Sequence, residues 1–219
     1  MARSQTDQAL YQLRDMVFSG ELAPGSNHFE ADLATRLGMS RTPIREAALT
    51  MQAQGLVNVQ PRRGIHIRPI SADDMADIYD VICELESLAA ARAAEQNYAA
   101  SDRGVARQCI EDMDASLAAE DRVAWARADD RFHAELVRLG GNKRVEEVVA
   151  RYTDQVRRAR MITLQLRPLP TQSNDDHRAV LDAIAAGDAT TARCLHRSHR
   201  QRARALLTGL IHEFGLRAL

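Results

Sequence analysis

One group of side chains in the second half of the chain has the types and spacing of a metal site. Asp129 and His133 lie four residues apart in a segment with helical periodicity, so their side chains project from the same face. His177 opens another helical segment, and His196 and His199 lie three residues apart near the end of the chain. Three imidazoles and one carboxylate suit Zn²⁺, or with added waters Ni²⁺, Mn²⁺ or Fe²⁺. The spacing alone also fits histidines with a purely structural place, because such pairs are common in helices.

A second group, within the first seventy residues, has the chemistry of nucleic-acid binding. Arg41 and Arg45 lie four residues apart at the start of a predicted helix and so project from one face. Arginine forms bidentate hydrogen bonds with guanine O6 and N7 and also clamps phosphate groups. Arg62 and Arg63 lie in the turn of a short hairpin and suit an adjacent minor groove or backbone. The candidate DNA-contacting residues are Ser40, Arg41, Thr42, Arg45, Arg62, Arg63 and Gly64.

Three short helices and a hairpin position these arginines. Apolar residues recur at helical spacing in about 9–17, 33–37 and 44–51, and strand-like runs cover 56–59 and 65–67. The second and third helices have the layout of a helix-turn-helix, in which the later helix enters the major groove of DNA. The opposite face of this later helix is expected to pack on the first two helices through Ile44, Ala47, Ala48 and Met51.

Beyond a boundary at about 69–73 the strand pattern ends and long helical segments follow. We predict helices at about 72–96, 101–119, 121–139, 142–166, 174–186 and 188–214. Their predicted N-caps are Asn142, Asn174 and Asp188. Six such helices suit an antiparallel bundle. The predicted fold class is therefore mainly α, with a winged helix-turn-helix DNA-binding domain at 1–70 and an all-helical antiparallel bundle at 71–219.

Charge distribution, cysteine pattern and hydropathy restrict the class of protein and its cellular compartment. The first 70 residues hold eight arginines and six acidic residues, a modest net charge of +2 that is compatible with DNA binding. Cys83, Cys109 and Cys194 form no CxxC pair and are interpreted as reduced, buried thiols of a cytoplasmic protein. The first residues lack the apolar core of a signal peptide, and no run approaches the roughly 20 apolar residues that span a membrane.

Several segments of the first seventy residues form a specific pattern. They are 19–25 (SGELAPG), 30–34 (EADLA), 37–47 (LGMSRTPIREA), 54–57 (QGLV) and 62–64 (RRG). This pattern resembles the winged-helix domain of the GntR regulators. The resemblance implies that Arg41, Thr42 and Arg45 contact DNA and that Gly64 lies at the tip of the wing. Ala31 departs from the pattern, because many members have at that position an arginine that touches DNA.

The helical part of the chain carries a second pattern. Its segments are 78–90 (IYDVICELESLAA), 129–136 (DDRFHAEL), 177–184 (HRAVLDAI) and His199. They resemble the all-helical effector domain of the FadR subgroup of GntR regulators, the FCD domain. The resemblance implies that residues 71–219 form an effector-binding and dimerisation domain. The resemblance implies a small carboxylate effector on or near a divalent metal ion, with His196 beside the site. Ile82 stands where many members have an arginine, so a smaller, less charged or differently oriented effector is expected. The metal ligands implied by the resemblance are Asp129, His133, His177 and His199.

These features together predict a cytoplasmic transcriptional regulator without catalytic activity. We expect a homodimer on a two-fold double-stranded operator, its DNA affinity controlled by a small organic acid bound at a metal centre, with zinc the first choice. The first long helix after the wing is the expected transmitter. Two alternatives are a metal-responsive regulator and a metal-dependent hydrolase or lyase. The absence of a nucleophile elbow, phosphate loop or HExxH motif disfavours the enzyme, and Glu135 points away from His133 on a helix.

Overall fold

The computed structural model describes residues 4–96 and 98–214 and is built mainly of α-helices. In chain order the elements are α1 (Gln5–Phe18), β1 (Asn27–His28), α2 (Glu30–Leu37), α3 (Arg41–Ala53), β2 (Val57–Gln60), β3 (Gly64–Ile67), α4 (Ala72–Glu95), α5 (Gly104–Ala118), α6 (Arg122–Leu139), α7 (Lys143–Ile162), α8 (Thr171–Ala185) and α9 (Ala189–Glu213). A short 3₁₀ turn at Leu164–Leu166 follows α7. The predicted fold class is confirmed, since a winged helix-turn-helix precedes an all-helical part.

The structure divides into two compact units. The first comprises the described residues up to Ala72, together with Arg151–Ile162 and residues 211–214. The second comprises Asp73–Ala150 and Thr163–Leu210. Helix α7 therefore contributes its N-terminal part to the second unit and its C-terminal part to the first.

The helix-turn-helix of the first unit is formed by α2 and α3. Gly38 follows α2 with a φ of 64°, a left-handed conformation that glycine adopts without the strain of a Cβ. The face of α3 opposite the arginines is buried, as predicted, in one apolar core with residues of α1 and α2. The buried residues of this face are Ile44, Ala47, Ala48 and Met51, and their core neighbours include Leu13, Val17 and Leu33.

Three short strands form the wing, in the order β1-β3-β2 with both pairs antiparallel. Gln60 lies opposite Gly64 in the hairpin, and Asn27 of β1 pairs with His66. A Cβ on Gly64, whose φ is 81°, would lie 2.3 Å from the carbonyl oxygen of His28. Only glycine therefore allows this close approach of β1 and β3. The sequence predicted the hairpin but not β1, because two residues carry no recognisable alternation.

The second unit is all-helical, and most of its helices begin and end within a few residues of the predicted positions. Two of the predicted caps are confirmed. The Asn142 side chain accepts a hydrogen bond of 3.0 Å from the backbone N–H of Arg144 at the start of α7. The Asp188 side chain accepts one of 2.9 Å from the backbone N–H of Thr191 at the start of α9.

Asn174 is not a helix cap, and the prediction is wrong there. Helix α8 begins three residues earlier, at Thr171, and Asn174 is buried within it. Its Oδ1 accepts a hydrogen bond of 2.8 Å from Trp125 Nε1, and its Nδ2 donates one of 2.7 Å to Asp114. A buried indole N–H needs an acceptor, so this pairing between helices outweighs the local capping preference of asparagine.

The cysteines follow the prediction in part. Cys83 and Cys109 are buried free thiols, whereas Cys194 is exposed, so the prediction of burial is wrong for that residue. Among the described residues, no helix combines the length and the apolar character needed to cross a membrane.

The contact between Gly140 and Ala89 is tight enough to predict the effect of one added methyl group. A Cβ on Gly140 would lie 2.7 Å from both the Cα and the Cβ of Ala89 in α4, so Gly140→Ala is expected to destabilise the protein by about 1–3 kcal/mol. Gly209 is the matched control, because it lies on exposed helix with no atom within 4 Å of an added Cβ. Gly209→Ala is expected to stabilise by up to about 1 kcal/mol. Equal urea unfolding midpoints for the two variants would contradict this packing.

Candidate DNA-binding surface and metal centre

The first turn of α3 presents the predicted DNA-contacting side chains to solvent. Arg41, Thr42 and Arg45 are exposed, whereas Ile44 between them is buried. Ser40 stands at the N-cap, and its hydroxyl makes no hydrogen bond to the helix, which leaves that oxygen available to a phosphate. The positive end of the helix dipole also favours an anion at this turn.

The wing carries the remaining predicted residues. Arg62 and Arg63 are exposed in the turn between β2 and β3. An open groove of about 730 Å³ lies between this turn, the start of α2 and the start of α3. Ala31 lines the groove, so the α2 side lacks the arginine that the resemblance would place there. The predicted residues that the groove brings together are Arg41, Arg45, Arg62 and Gly64, while Ser40, Thr42 and Arg63 are not among its lining residues.

The four predicted metal ligands converge inside the second unit. Helix α6 supplies Asp129 and His133, α8 supplies His177 and α9 supplies His199. All four are buried, and one ligand atom from each lies within 4.8 Å of those of the other three. Asp129 Oδ2 is 3.7 Å from His133 Nε2, and Asp129 Oδ1 is 3.5 Å from His177 Nε2. Residues remote in sequence thus form one cluster.

Two of the three candidate imidazole ligands, His177 and His199, are held in the neutral state suited to metal coordination. Burial, with the neighbouring His199, lowers the pKa of His177 well below its usual value, and burial also lowers the pKa of His199. Neutral imidazole is the form that ligates a metal. His133 Nε2 and both ring nitrogens of His177 are buried without a hydrogen-bond partner. Buried polar atoms without partners cost free energy, and an ion between the two rings would satisfy His133 Nε2 and one ring nitrogen of His177.

The distances also fit a metal ion. In a tetrahedral zinc site with bonds of about 2.0–2.1 Å, ligand atoms lie roughly 3.3–3.4 Å apart. The Asp129–His133 and Asp129–His177 separations of 3.7 and 3.5 Å are close to that value. The donor set and its spacing therefore fit a divalent cation.

A carboxylate outside the cluster orients one of its histidines. Asp176 Oδ2 lies 3.0 Å from His199 Nδ1, which leaves the Nε2 of that ring for the cluster. Arg202 Nη2 is 2.6 Å from the same oxygen. Burial raises the pKa of Asp176, but hydrogen bonds from His199 and Arg202 outweigh it and lower the pKa to about 2. The carboxylate is therefore ionised at neutral pH and holds the imidazole by a charge-assisted hydrogen bond.

A second carboxylate, Glu86 of α4, lies on the other side of the cluster. Its Oε2 is 3.2 Å from His133 Nδ1, and both of its oxygens accept hydrogen bonds from Arg200, at 2.6 and 2.7 Å. Burial raises the pKa of Glu86, but Arg200 and His133 outweigh it and hold that pKa well below its usual range. His196 Nε2 lies 3.4 Å from both Glu86 Oε2 and His133 Nδ1. Glu86, His133 and His196 also lie close enough together to form a second possible ligand group.

The contacts that Glu86 and Asp176 make around the cluster were not predicted from the sequence. Glu86 and Arg200 are 114 residues apart, so no local spacing connects them. Asp176 precedes a predicted ligand directly, yet its partner His199 is 23 residues away. The only available signal was the presence of charged residues on predicted buried helix faces, which does not identify their partners.

Known proteins share both parts of this sequence. The model of bacterial regulatory proteins of the gntR family matches residues 5–67, and the model of the FCD domain matches residues 77–202. An uncharacterized HTH-type transcriptional regulator from Streptomyces ambofaciens is 32% identical over 192 residues, covering 86% of this chain and 78% of its own length. Another, from Agrobacterium vitis, is 39% identical over 131 residues, covering 59% of this chain and 77% of its own length.

Solved structures share the fold. Escherichia coli McbR/YncC superposes with a TM-score of 0.81 at 20% identity, covering 95% of this chain and 99% of its own. A GntR family member from Pseudomonas syringae superposes with a TM-score of 0.56 at 26% identity, covering 96% of this chain and 87% of its own.

The buried histidines predict how acid affects the metal-free protein. Burial lowers the pKa values of His177, His196 and His199 below the usual 6.5, so the unfolded state binds more protons below that pH. His133 opposes them, because Asp129 and Glu86 overcome its burial and raise its pKa. The three lowered values outweigh the one raised value, so the free energy of unfolding should fall as the pH drops below about 6.5.

Urea unfolding of the chelator-treated protein between pH 8 and 5 measures this dependence. His177→Gln should make the decline in stability shallower, whereas His212→Gln, at an exposed position, should leave it unchanged. A wild-type stability that rises toward pH 5 would contradict the assignment of neutral buried imidazoles.

Proposed function

The chain belongs to the GntR family of bacterial regulatory proteins and carries an FCD domain, and we propose that a small carboxylate bound at a divalent metal centre controls its affinity for operator DNA. It is a DNA-binding transcriptional regulator and not an enzyme. The observation that carries the effector proposal is the convergence of Asp129, His133, His177 and His199 within 4.8 Å in the helical unit.

DNA binding is assigned to α3 and the wing. The exposed side chains of Arg41 and Arg45 leave the same face of α3, so they would enter the major groove together. On the protein, Arg62 of the wing lines the same surface groove as Arg41 and Arg45. In a complex it would reach the adjacent DNA backbone or the DNA minor groove. Ser40 and Thr42 would add hydroxyl contacts to phosphate. A homodimer would present two such surfaces to an operator with two-fold symmetry.

The effector is assigned to the four-residue cluster. A divalent ion bound there, either zinc expanded beyond four ligands or Ni²⁺, Mn²⁺ or Fe²⁺ with open coordination positions, would supply positive charge and a point of attachment for a carboxylate oxygen. The three imidazoles bring no charge in their neutral form, and Asp129 brings one negative charge. Ile82 of α4 is buried and apolar at the position where a cationic side chain would otherwise assist an anion. A small carboxylate of low charge fits these charges best.

Two helices offer routes by which the effector would influence DNA binding. Helix α4 follows the wing directly, and α7 contributes Arg151–Ile162 to the compact unit of the helix-turn-helix. Within that unit Asp154 of α7 forms an ion pair with Arg14 of α1, and Arg158 Nη1 donates a hydrogen bond of 2.6 Å to the carbonyl of Arg68. An effector shifts DNA affinity only if it binds the two conformational states with different affinities.

A metal-responsive regulator is the second candidate. Four protein ligands complete the tetrahedral coordination of zinc without an organic molecule, as in closed structural sites. Operator affinity would then follow the free metal concentration alone. The buried four-ligand set favours permanent occupancy instead, so the carboxylate remains the proposed signal.

Arg45 provides the test of the DNA-binding surface. Arg45→Ala is expected to weaken binding to a specific operator by about 1–3 kcal/mol and to weaken binding to random DNA much less, because its guanidinium would read a base. Fluorescence anisotropy at fixed salt measures both affinities. Arg144→Ala is the control, since Arg144 is an exposed arginine of the other unit. An equal loss on both DNAs would reduce Arg45 to a phosphate contact.

Thermal unfolding tests the metal and effector assignments. Zinc at about 100 times its Kd should stabilise the chelator-treated protein by about 2.7 kcal/mol, or roughly 5–10 °C in Tm. One member of a panel of small carboxylates should add a further shift only in the metal-loaded protein. Asp129→Ala should abolish both shifts, and His212→Ala should preserve them. If zinc gives the wild-type protein no shift, the metal assignment is wrong.

A further inference from the structure

Glu86 is a buried carboxylate outside the four-residue cluster. Its Oε2 lies 3.2 Å from His133 Nδ1, the ring nitrogen that does not face Asp129. A carboxylate accepts a hydrogen bond and cannot donate one when ionised, so a hydrogen bond across this 3.2 Å contact requires the proton on His133 Nδ1. The Nε2 of the same ring, which is buried without a hydrogen-bond partner, is then the atom that faces the candidate ion.

Arg200 fixes the carboxylate itself. Its Nε and Nη2 donate hydrogen bonds of 2.6 and 2.7 Å to the two oxygens of Glu86, and both side chains are buried. This bidentate pair holds the plane of the carboxylate and neutralises its charge. A cation bound to Glu86 would lie beside the guanidinium and be repelled by it. The group formed by Glu86, His133 and His196 is therefore unsuited to a second metal ion.

The cluster repeats this arrangement at a second histidine. Asp176 lies 3.0 Å from His199 Nδ1 and pairs with Arg202, just as Glu86 lies against His133 Nδ1 and pairs with Arg200. Both arginines belong to α9. Two candidate ligand imidazoles are thus each contacted at Nδ1 by a carboxylate, which leaves the Nε2 of each ring for the candidate ion.

We propose that Glu86, held by Arg200, is a positioning residue that fixes the orientation and tautomer of His133 for metal coordination. The proposal rests on the proposed metal site. It assigns to Glu86 no contact with the ion and to His196 no place among the ligands. Outer-sphere partners of this kind typically raise metal affinity about 10–100-fold.

The test removes the pair without leaving a buried charge. The double variant Glu86→Met/Arg200→Met replaces both charged side chains by apolar side chains of similar length, a replacement that proteins with a buried ion pair generally tolerate. Either single variant would instead leave one buried charge without its partner. Glu84→Gln/Arg197→Gln is the matched control, because that pair joins the same two helices at the surface, at 2.8 Å. Glu86→Gln/Arg200→Gln is the conservative rescue, since it restores an oxygen that can accept the Nδ1 proton.

Zinc affinity by chelator competition, zinc stoichiometry and the visible spectrum of the Co²⁺-loaded protein are the metal-dependent readouts. The Met/Met variant should bind one ion per protomer about 10–100-fold more weakly than wild type, with altered Co²⁺ bands. The Gln/Gln variant should recover most of the loss, and the surface control should match wild type. Unchanged affinity in the Met/Met variant would overturn the proposal. So would two ions in wild type and one in the variant, because Glu86 would then be a ligand.

Proton NMR of the metal-free protein with ¹⁵N-labelled histidine separates this proposal from the proposed metal site. A low-field, slowly exchanging Nδ1 proton on His133 is expected in wild type and absent in the Met/Met variant. If wild type binds no zinc but shows this proton, the metal site is wrong and the positioning of His133 by Glu86 stands. If the proton is absent from wild type, the positioning proposal is wrong.

Discussion

The helical unit is constrained by the burial of three imidazoles and a carboxylate side by side. Removing these groups from water is costly unless each finds a partner, and the neutral state of His177 and His199 is one consequence. His133 Nε2 and His177 Nε2 lack hydrogen-bond partners and lie 3.7 and 3.5 Å from the carboxylate oxygens of Asp129. A divalent cation bound as proposed would resolve this constraint by coordinating the groups that otherwise destabilise the unit.

The charged side chains around the cluster are paired, so they add no net charge to it. Glu86 and Asp176 each contact a histidine Nδ1, and each is paired with an arginine of α9. The outer carboxylates therefore orient the imidazoles without adding net negative charge. The proposed divalent ion together with Asp129 would leave a single positive charge at the centre, which would suit one carboxylate of an organic acid. The position of Ile82 agrees with an effector of low charge.

Local features were predictable from the sequence, and features that depend on remote partners were not. The four-residue spacings of Asp129 with His133 and of Arg41 with Arg45 follow from helix geometry, and both pairs lie where expected. The gathering of His177 and His199 around Asp129 came from the resemblance, not from spacing. Asn174 carries a local cap signal, but hydrogen bonding to Trp125 places it inside α8. Likewise, nothing local indicates that Arg151–Ile162 belongs with the helix-turn-helix.

The most direct test of effector control is operator affinity measured in four states, with and without metal and with and without the stabilising carboxylate. Fluorescence anisotropy at one salt concentration gives all four dissociation constants. We expect the carboxylate to change operator affinity by about 5–150-fold in the metal-loaded protein and to leave the affinity of the chelated protein unchanged. An equal change in both proteins, or a change produced by metal alone with no effect of the carboxylate, would contradict this expectation.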